Sequence, residues 1–482
     1  MTGNFDYVMV QSILPVIGLL ILGILIMVVD LFIPDEQKRV LGWISGVGLI
    51  TIIITSVLIG RPGPEPEMVW GGMLRFDWYG FVFQMIFLVG AAITSMVAMD
   101  IQELGKRGEF YLLLLAATLG MSLMAASANL IMLYVAIETT SIPLYVLAGF
   151  LVLDKKSTES GFKYFLFGAM TSTIMLYGFS LLYGFAGTTD IYTIAEKLIS
   201  DGSPIPLIGA MLLILVGFGF KISVVPLHFW APDVYEGSPS PVAGFLSTAS
   251  KAAGFAVLIR VLMAVFPANQ DLWSALLATL AVATMTLGNL LALTQKNIKR
   301  MLAYSSIAHA GYILIGVVVA TERGFSGSIY YLLVYLFSNL AAFAVVTIIG
   351  KTIGSDEIAD YAGLSRRSPG LALVLLVSLL SLAGMPPLGG FIGKFLVFAA
   401  AVEANYIWLA VIGVLNSIIG LYYYLIVLKV VYLYRSENDD KHIVIPGPYS
   451  LTLGIITFGI ILLGTFFAPW INWVMKAASS LF

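Results

Sequence analysis

The sequence contains no cysteine, only three histidines, and charged residues at just 11% of its 482 positions. Without thiols there are no disulfides and no thiolate-ligated iron–sulfur cluster. His228, His309 and His442 fall in different segments, so no grouping of imidazoles suits a haem or metal cluster. A net charge of −2 and the lack of any basic tract argue against nucleic acid as a partner. The first residues, MTGNFDYVMV, have neither a basic leader nor an A-x-A site, so the chain is expected to open directly on its first span, with no signal peptide.

What is abundant is apolar surface. The chain is 60% hydrophobic with a mean hydropathy of +0.98, whereas soluble domains carry about 25% charged residues, so it reads as an integral membrane protein. Its apolar runs have the length of spanning helices and are too long for barrel strands. About fourteen candidate helices follow, at 11–33, 40–60, 76–98, 109–127, 129–152, 158–186, 205–230, 241–265, 272–294, 300–320, 326–350, 370–400, 404–434 and 448–474. Turn formers punctuate them, and two longer links, 188–200 and 355–367, have the mixed polarity of surface helices.

Loop charge predicts orientation. Odd-numbered loops hold fourteen Lys and Arg, from Lys38 and Arg39 through Arg435 and Lys441; even-numbered loops hold four, namely Arg61, Arg75, Lys197 and Arg323. The asymmetry predicts cytoplasmic odd loops and both termini on the far side. Of the seven remaining basic residues, Lys429 and Arg260 are expected to snorkel from span ends and Lys476 belongs to the C-terminal tail. Lys163, Lys221, Lys251 and Lys394 are left inside apolar runs, and Glu138 is read as the one deep acid, with Asp30, Asp77 and Asp100 at span ends. An ionisable group at the bilayer centre costs at least ~2.5 kcal/mol, so a chain retaining several uses them.

Two spans are both charged and interrupted. GFGFKISVVPLHFW places Lys221 before Pro226, and LAGMPPLGGFIGKF places Pro386–Pro387 before Lys394. Proline frees backbone carbonyls, which a membrane tolerates only where they line protein or a water cavity, and paired interrupted spans point to a transport site. Ordinary kinks are the bland alternative, and a lysine at each break weighs against it. GFGFK at 217–221 is no nucleotide loop, because no strand precedes it.

Glu138 is followed by Thr139, Thr140 and Ser141, whose hydroxyls are placed to orient it or hold water, and Lys221 is its natural partner. A lysine held between desolvation, which disfavours its charge, and a carboxylate, which favours it, takes or releases a proton when the carboxylate moves. A static ion pair that sets helix packing is the alternative. Lys251 lies among small residues in FLSTASKAAGFAV, where relay competes with hydrogen bonding to serines as packing glue. His309, in YSSIAHAGY, is either a relay imidazole or a satisfied core histidine. Lys163 is close enough to the cytoplasmic end to snorkel, with a place in the relay as the equal alternative, His228 near the end of the broken span is either a proton-entry or a structural residue, and His442 is a loop residue with no functional case. The run Tyr422, Tyr423, Tyr424 is too deep for an interfacial belt, and the sequence assigns it no role.

KISVVPLHFWAPDVYEGSPSPVAGFLSTASK, NLLALTQKNIKRMLAYSSIAHAGY, LAGMPPLGGFIGKF and GLYYYL resemble the subunit N family of proton-pumping NADH–quinone oxidoreductase, respiratory complex I, over nearly the whole chain. The resemblance implies an all-α polytopic fold with two inverted five-helix repeats, each with a discontinuous helix. The expected divisions are 1–108 (three helices), 109–265 and 266–435 (the repeats) and 436–482 (a last helix). It implies a proton relay through Glu138, Lys221, Lys251, His309 and Lys394, and it matches Lys163 to a basic residue of the sixth span. One sister subunit has glutamate where Lys394 stands. Another continues into a long lateral helix, whereas this chain stops at Phe482. By resemblance, no cofactor is expected in this chain: FMN, iron–sulfur clusters and quinone belong to other subunits. The implied partners are the lipid bilayer, an M-type antiporter-like neighbour and the small K-type subunit. A bacterial plasma membrane is the expected location, with organellar inner or thylakoid membranes as alternatives. The rival functions are a subunit of a multi-subunit sodium/proton antiporter and a passive structural subunit of the membrane arm.

Overall fold

A computed structural model describes residues 7–200, 204–436, 442–443, 445 and 447–482. Among these, twelve helices are long and apolar enough to cross a membrane. The principal helices are numbered here in chain order. They begin with α1 (Leu14–Phe32), α2 (Val40–Ile59), α3 (Trp78–Ala98), α4 (Gly108–Ala126), α5 (Leu130–Ala148) and α6 (Lys155–Ala186). Next come α7 (Pro204–Ile222), α8 (Trp230–Gly237), α9 (Ser240–Val265), α10 (Gln270–Ala292), α11 (Ile298–Val318) and α12 (Glu322–Ile353). The last are α13 (Pro369–Ala383), α14 (Gly389–Glu403), α15 (Ile407–Leu433), α16 (Gly447–Thr465) and α17 (Ala468–Ser479).

Eleven predicted spans coincide with long helices to within a few residues, and a twelfth, 448–474, matches the remaining long helix only at its start. The other two, 205–230 and 370–400, are the helix–break–helix segments α7/α8 and α13/α14. At the first, the chain leaves α7 through Ser223 with φ 60°, passes the cis peptide Val225–Pro226, and resumes at Trp230. At the second it passes Gly384 with φ 88° and the cis peptide Pro386–Pro387, and resumes at Gly389. The backbone groups released there find partners. The Trp230 indole donates to Phe220 O (3.2 Å), Thr284 Oγ1 accepts from Val225 N (3.1 Å), and Ser381 Oγ accepts from Gly390 N (3.1 Å).

Local features recur between the two halves. Asn129 caps α5 and bridges to Asp190, and Asn297 caps α11 and bridges to Glu357. Both α6 and α12 are 32 residues long, open on a capping side chain (Asp154, Thr321) and end at a left-handed glycine (Gly187, Gly354). Those glycines are 354 − 187 = 167 positions apart.

Three expectations need correction, and one element was not foreseen. Span 448–474 is not one helix: α16 stops at Thr465, and α17, opening with Pro469 in its first turn, runs separately with Trp470, Trp473 and Lys476 along it. A small hairpin, Glu67–Val69 paired with Leu74–Phe76, occupies the link before α3 and is too short to leave a strand pattern in the sequence. Of the two surface links, the first holds a helix, Ile191–Ser200, and the second only single turns at Ile358–Tyr361 and Leu364–Arg367. Arg260 does not snorkel. It is 2% exposed, and its guanidinium donates twice to Asp77, at 2.8 Å to each oxygen.

Candidate functional site

Glu138 lies midway along α5, half-buried, and its carboxylate accepts a short hydrogen bond from Ser172 on α6. Around it, α5 presents Ile131, Val135, Ile142 and Val146 outward, so the carboxylate borders a face that lipid or a neighbouring chain covers. The hydroxyls beside it are already engaged: those of Thr139, Thr140 and Ser141 donate to the carbonyls of Val135, Ala136 and Ile137. Lys221, in the last turn of α7, donates to Ser141 Oγ at 2.8 Å. Among the described residues there is no direct Glu138–Lys221 ion pair. Ser141, one helical turn from Glu138, stands between them. The natural pairing expected from the sequence is therefore indirect in this conformation, because the lysine reaches the same helix face one turn along.

Lys251 is 1% exposed and follows a π-helical turn, Leu246–Ser250, inside α9. The hydroxyls of Ser247 and Thr248 both donate to Gly244 O (2.8 and 2.7 Å), competing with the helix ladder where the winding changes. Such turns concentrate at functional sites. One turn on from Lys251, Gly254 lets the Lys221 stem lie against α9: a Cβ there would stand 3.2 Å from Lys221 Cγ. The Lys251 ammonium crosses to α11, donating to Ser306 O (2.8 Å) and Ser306 Oγ (2.5 Å).

Ser306 and His309 share a face of α11, one turn apart. His309 is 1% exposed, with Nδ1 2.8 Å from Tyr331 Oη and Nε2 3.1 Å from Tyr424 Oη. Tyr424 also hydrogen-bonds Ser305. The tyrosine run thereby divides: Tyr424 serves His309, Tyr423 donates to Asn289 Oδ1 (3.1 Å), and Tyr422 faces outward. Lys394, 6% exposed on α14, donates to Ala383 O (2.9 Å), the end of the preceding half-helix, where the dipole favours a cation. Its ammonium lies 4.9 Å from the centre of the Tyr312 ring, and the Asn289 amide donates to Tyr312 Oη at 2.8 Å.

Lys221 thus meets Ser141, one turn from Glu138, Lys251 reaches the helix of His309 through Ser306, and His309 and Lys394 both lie beside the Tyr312 ring; these groups are termed the polar file. Lys163 and His228 stand apart from it. Lys163 pairs with Glu159 and Asp233 (2.7 Å each) in a half-exposed cluster that Arg300 joins through Asp233 (2.8 Å) and Glu236 (3.0 Å). His228 is buried at the first break and makes no hydrogen bond to the file among the described residues.

Sequence reasoning missed three groups. Asp77, placed only at a span end, is 2% exposed and fully paired with Arg260, so Glu138 is not the most enclosed acid. The signal was present: an arginine inside GFAVLIRVLMAV needs a counter-charge. Lys299, counted as a loop lysine, is 6% exposed and donates to Ser238 O at 2.7 Å. Ser306, Tyr331 and Tyr424 carried no ionisable signal, and only packing brings them to Lys251 and His309.

Comparisons with known proteins agree with this architecture. Residues 127–420 match the family described as NADH:quinone oxidoreductase/Mrp antiporter, TM. The chain is 42% identical to NADH-quinone oxidoreductase subunit N of Moorella thermoacetica over 96% of both chains. It is similar to a chain of respiratory complex I from Thermus thermophilus, with a TM-score of 0.80, 34% identity and coverage of 95% of this chain and 98% of that one. A chain of the Mrp complex from Dietzia sp. DQ12-45-1b shares the fold, with a TM-score of 0.85 at 20% identity, over 98% and 97% of the two chains.

Proposed function

The chain belongs to the subunit N family of NADH-quinone oxidoreductases, and on that premise we propose that its buried polar file carries protons across the bilayer, while NADH oxidation and quinone reduction take place in other subunits. The observation that carries the reading is the run of enclosed, hydrogen-bonded titratable groups from Lys221 through Lys251–Ser306 and His309–Tyr424 to Lys394. A passive scaffold has no use for three lysines at that depth, given their insertion cost.

In this mechanism Glu138 is the switch. It sits at the edge of the file with its carboxylate held by Ser172, next to a face suited to a neighbouring membrane-arm subunit. Moving toward Lys221 it favours the ammonium, and moving away it releases a proton onward to Lys251. Carrying one charge against 100 mV requires about 2.3 kcal/mol, the size of the interaction gained or lost when a carboxylate shifts beside an enclosed lysine. Ser306 and the Lys251 ammonium then meet the His309–Tyr331–Tyr424 group, and Lys394 delivers to the far side. The recurring caps and breaks support reading the halves as two five-helix repeats of opposite sense, since a unit with five crossings inverts the next. Outward apolar faces on α5/α6 and on α15 suit neighbouring membrane-arm subunits of the M-type and K-type.

The test is proton translocation per NADH by the whole complex in proteoliposomes. Glu138→Gln and Lys251→Ala are expected to lower the ratio in assembled complex. An unchanged ratio in both would leave the structural-subunit reading, and a sodium requirement would favour the antiporter one.

A further inference from the structure

One cavity shares no lining residue with the proton file. It is a cleft of about 730 Å³ between α2, α3, α12, α16 and α17, walled by apolar side chains such as Val57, Met85, Phe337 and Phe458. It runs from Ile53 along the end of α2 to Arg61, two residues past that helix, and from Trp78 to Val89 along α3. At ~1.5 Å per residue these lengths are roughly 12 and 16 Å, about half of a ~30 Å hydrocarbon core. A transmembrane helix of another subunit needs the full thickness. One leaflet's acyl chains need half.

The open end has a different chemistry. Arg61 and Lys476 stand at the rim with Trp78, Trp470 and Trp473, the residue types that anchor at headgroup level, and Lys476 lies 5.3 Å from the Trp78 ring centre. A polar recess of about 710 Å³ adjoins it, sharing Trp78 and Lys476 and adding Arg75, Ser479, Ser480 and one acid, Glu65. Arg75 is committed to Asp77 (3.3 Å) and Ser480 O (3.0 Å), which fixes the C-terminal end of α17 as a wall and leaves Arg61 and Lys476 to meet a ligand. Tyr79 N donates to Ser480 Oγ (3.2 Å), a second tie on that wall.

We infer that this cleft is a binding site for one anionic phospholipid, with its acyl chains along α2 and α3 and its phosphate between Arg61 and Lys476. The loop-charge asymmetry, with Arg61 among the sparse even loops, assigns it to the non-cytoplasmic leaflet. The site needs only that the chain spans a bilayer, so its failure would leave the proton file untouched.

The whole complex, reconstituted with phosphatidylglycerol carrying a photoreactive acyl chain, tests the site by mass spectrometry of crosslinked peptides. Labelling is expected within 53–61 and 469–476. In the exposed pair Arg61→Gln/Lys476→Gln it should fall on the order of tenfold, since each basic residue near a membrane surface contributes measurably to anionic-lipid affinity. Ile455→Trp, at an outward cleft position, should also abolish labelling with both charges retained. Equal labelling by a phosphatidylcholine probe, undiminished labelling in the double variant, or no labelling of these peptides in the wild-type complex would each overturn the inference.

Discussion

Lys394 reaches back across the break in its own span to donate a 2.9 Å hydrogen bond to Ala383 O, the last residue of the half-helix before it. The contact depends on Gly384, whose φ of 88° suits glycine and whose added Cβ would stand 2.9 Å from Lys394 Cδ. Gly384→Ala should therefore displace the lysine and strain the backbone by about 1–3 kcal/mol. Proton translocation per NADH should fall in the assembled complex, accompanied by a lower unfolding temperature. Wild-type pumping would show that the Lys394–Ala383 contact is dispensable.

Among the described residues, Arg260 and Asp77 make the most enclosed ion pair. Arg260→Met removes the two 2.8 Å hydrogen bonds to the buried Asp77 carboxylate and leaves it only Arg75 at 3.3 Å, at a cost of up to about 3–5 kcal/mol. Asp77→Asn keeps an N-cap for α3 but leaves the guanidinium unpaired. The combined Arg260→Met/Asp77→Asn variant should be less damaging than Arg260→Met alone. The amount of assembled complex on native gels measures all three, and additive losses would argue against direct coupling.

Tyr424 bridges His309 and Ser305. Tyr424→Phe removes only the hydroxyl, so assembly should be retained while translocation falls several-fold, because the imidazole loses one of its two hydroxyl partners. Tyr422→Phe, on the outward side of the same helix, is the control and should pump normally.

Lys163 is one-third exposed, in a surface cluster where ion pairs contribute roughly 0–1 kcal/mol. Lys163→Ala is expected to alter translocation and stability only slightly. A loss as deep as that of Lys251→Ala would move Lys163 into the proton path.

Composition and hydropathy were enough to read a helical membrane protein from the sequence, because a 30 Å apolar layer forces long uncharged runs and makes every interior lysine conspicuous. Pro226 and the pair Pro386–Pro387 marked the breaks for the same reason: released carbonyls inside a membrane are rare. The resemblance to a family supplied the order of the relay residues, which spacing alone could not. Tertiary structure decided the partners. Ser306 and Tyr424 are neutral residues with no hydropathy signature, Asp77 and Arg260 lie 183 positions apart, and α17 breaks away from a run that reads as continuous. Hydropathy registers the cost of each residue leaving water, one at a time. Which hydroxyl or carboxylate offsets that cost is fixed only when the helices pack.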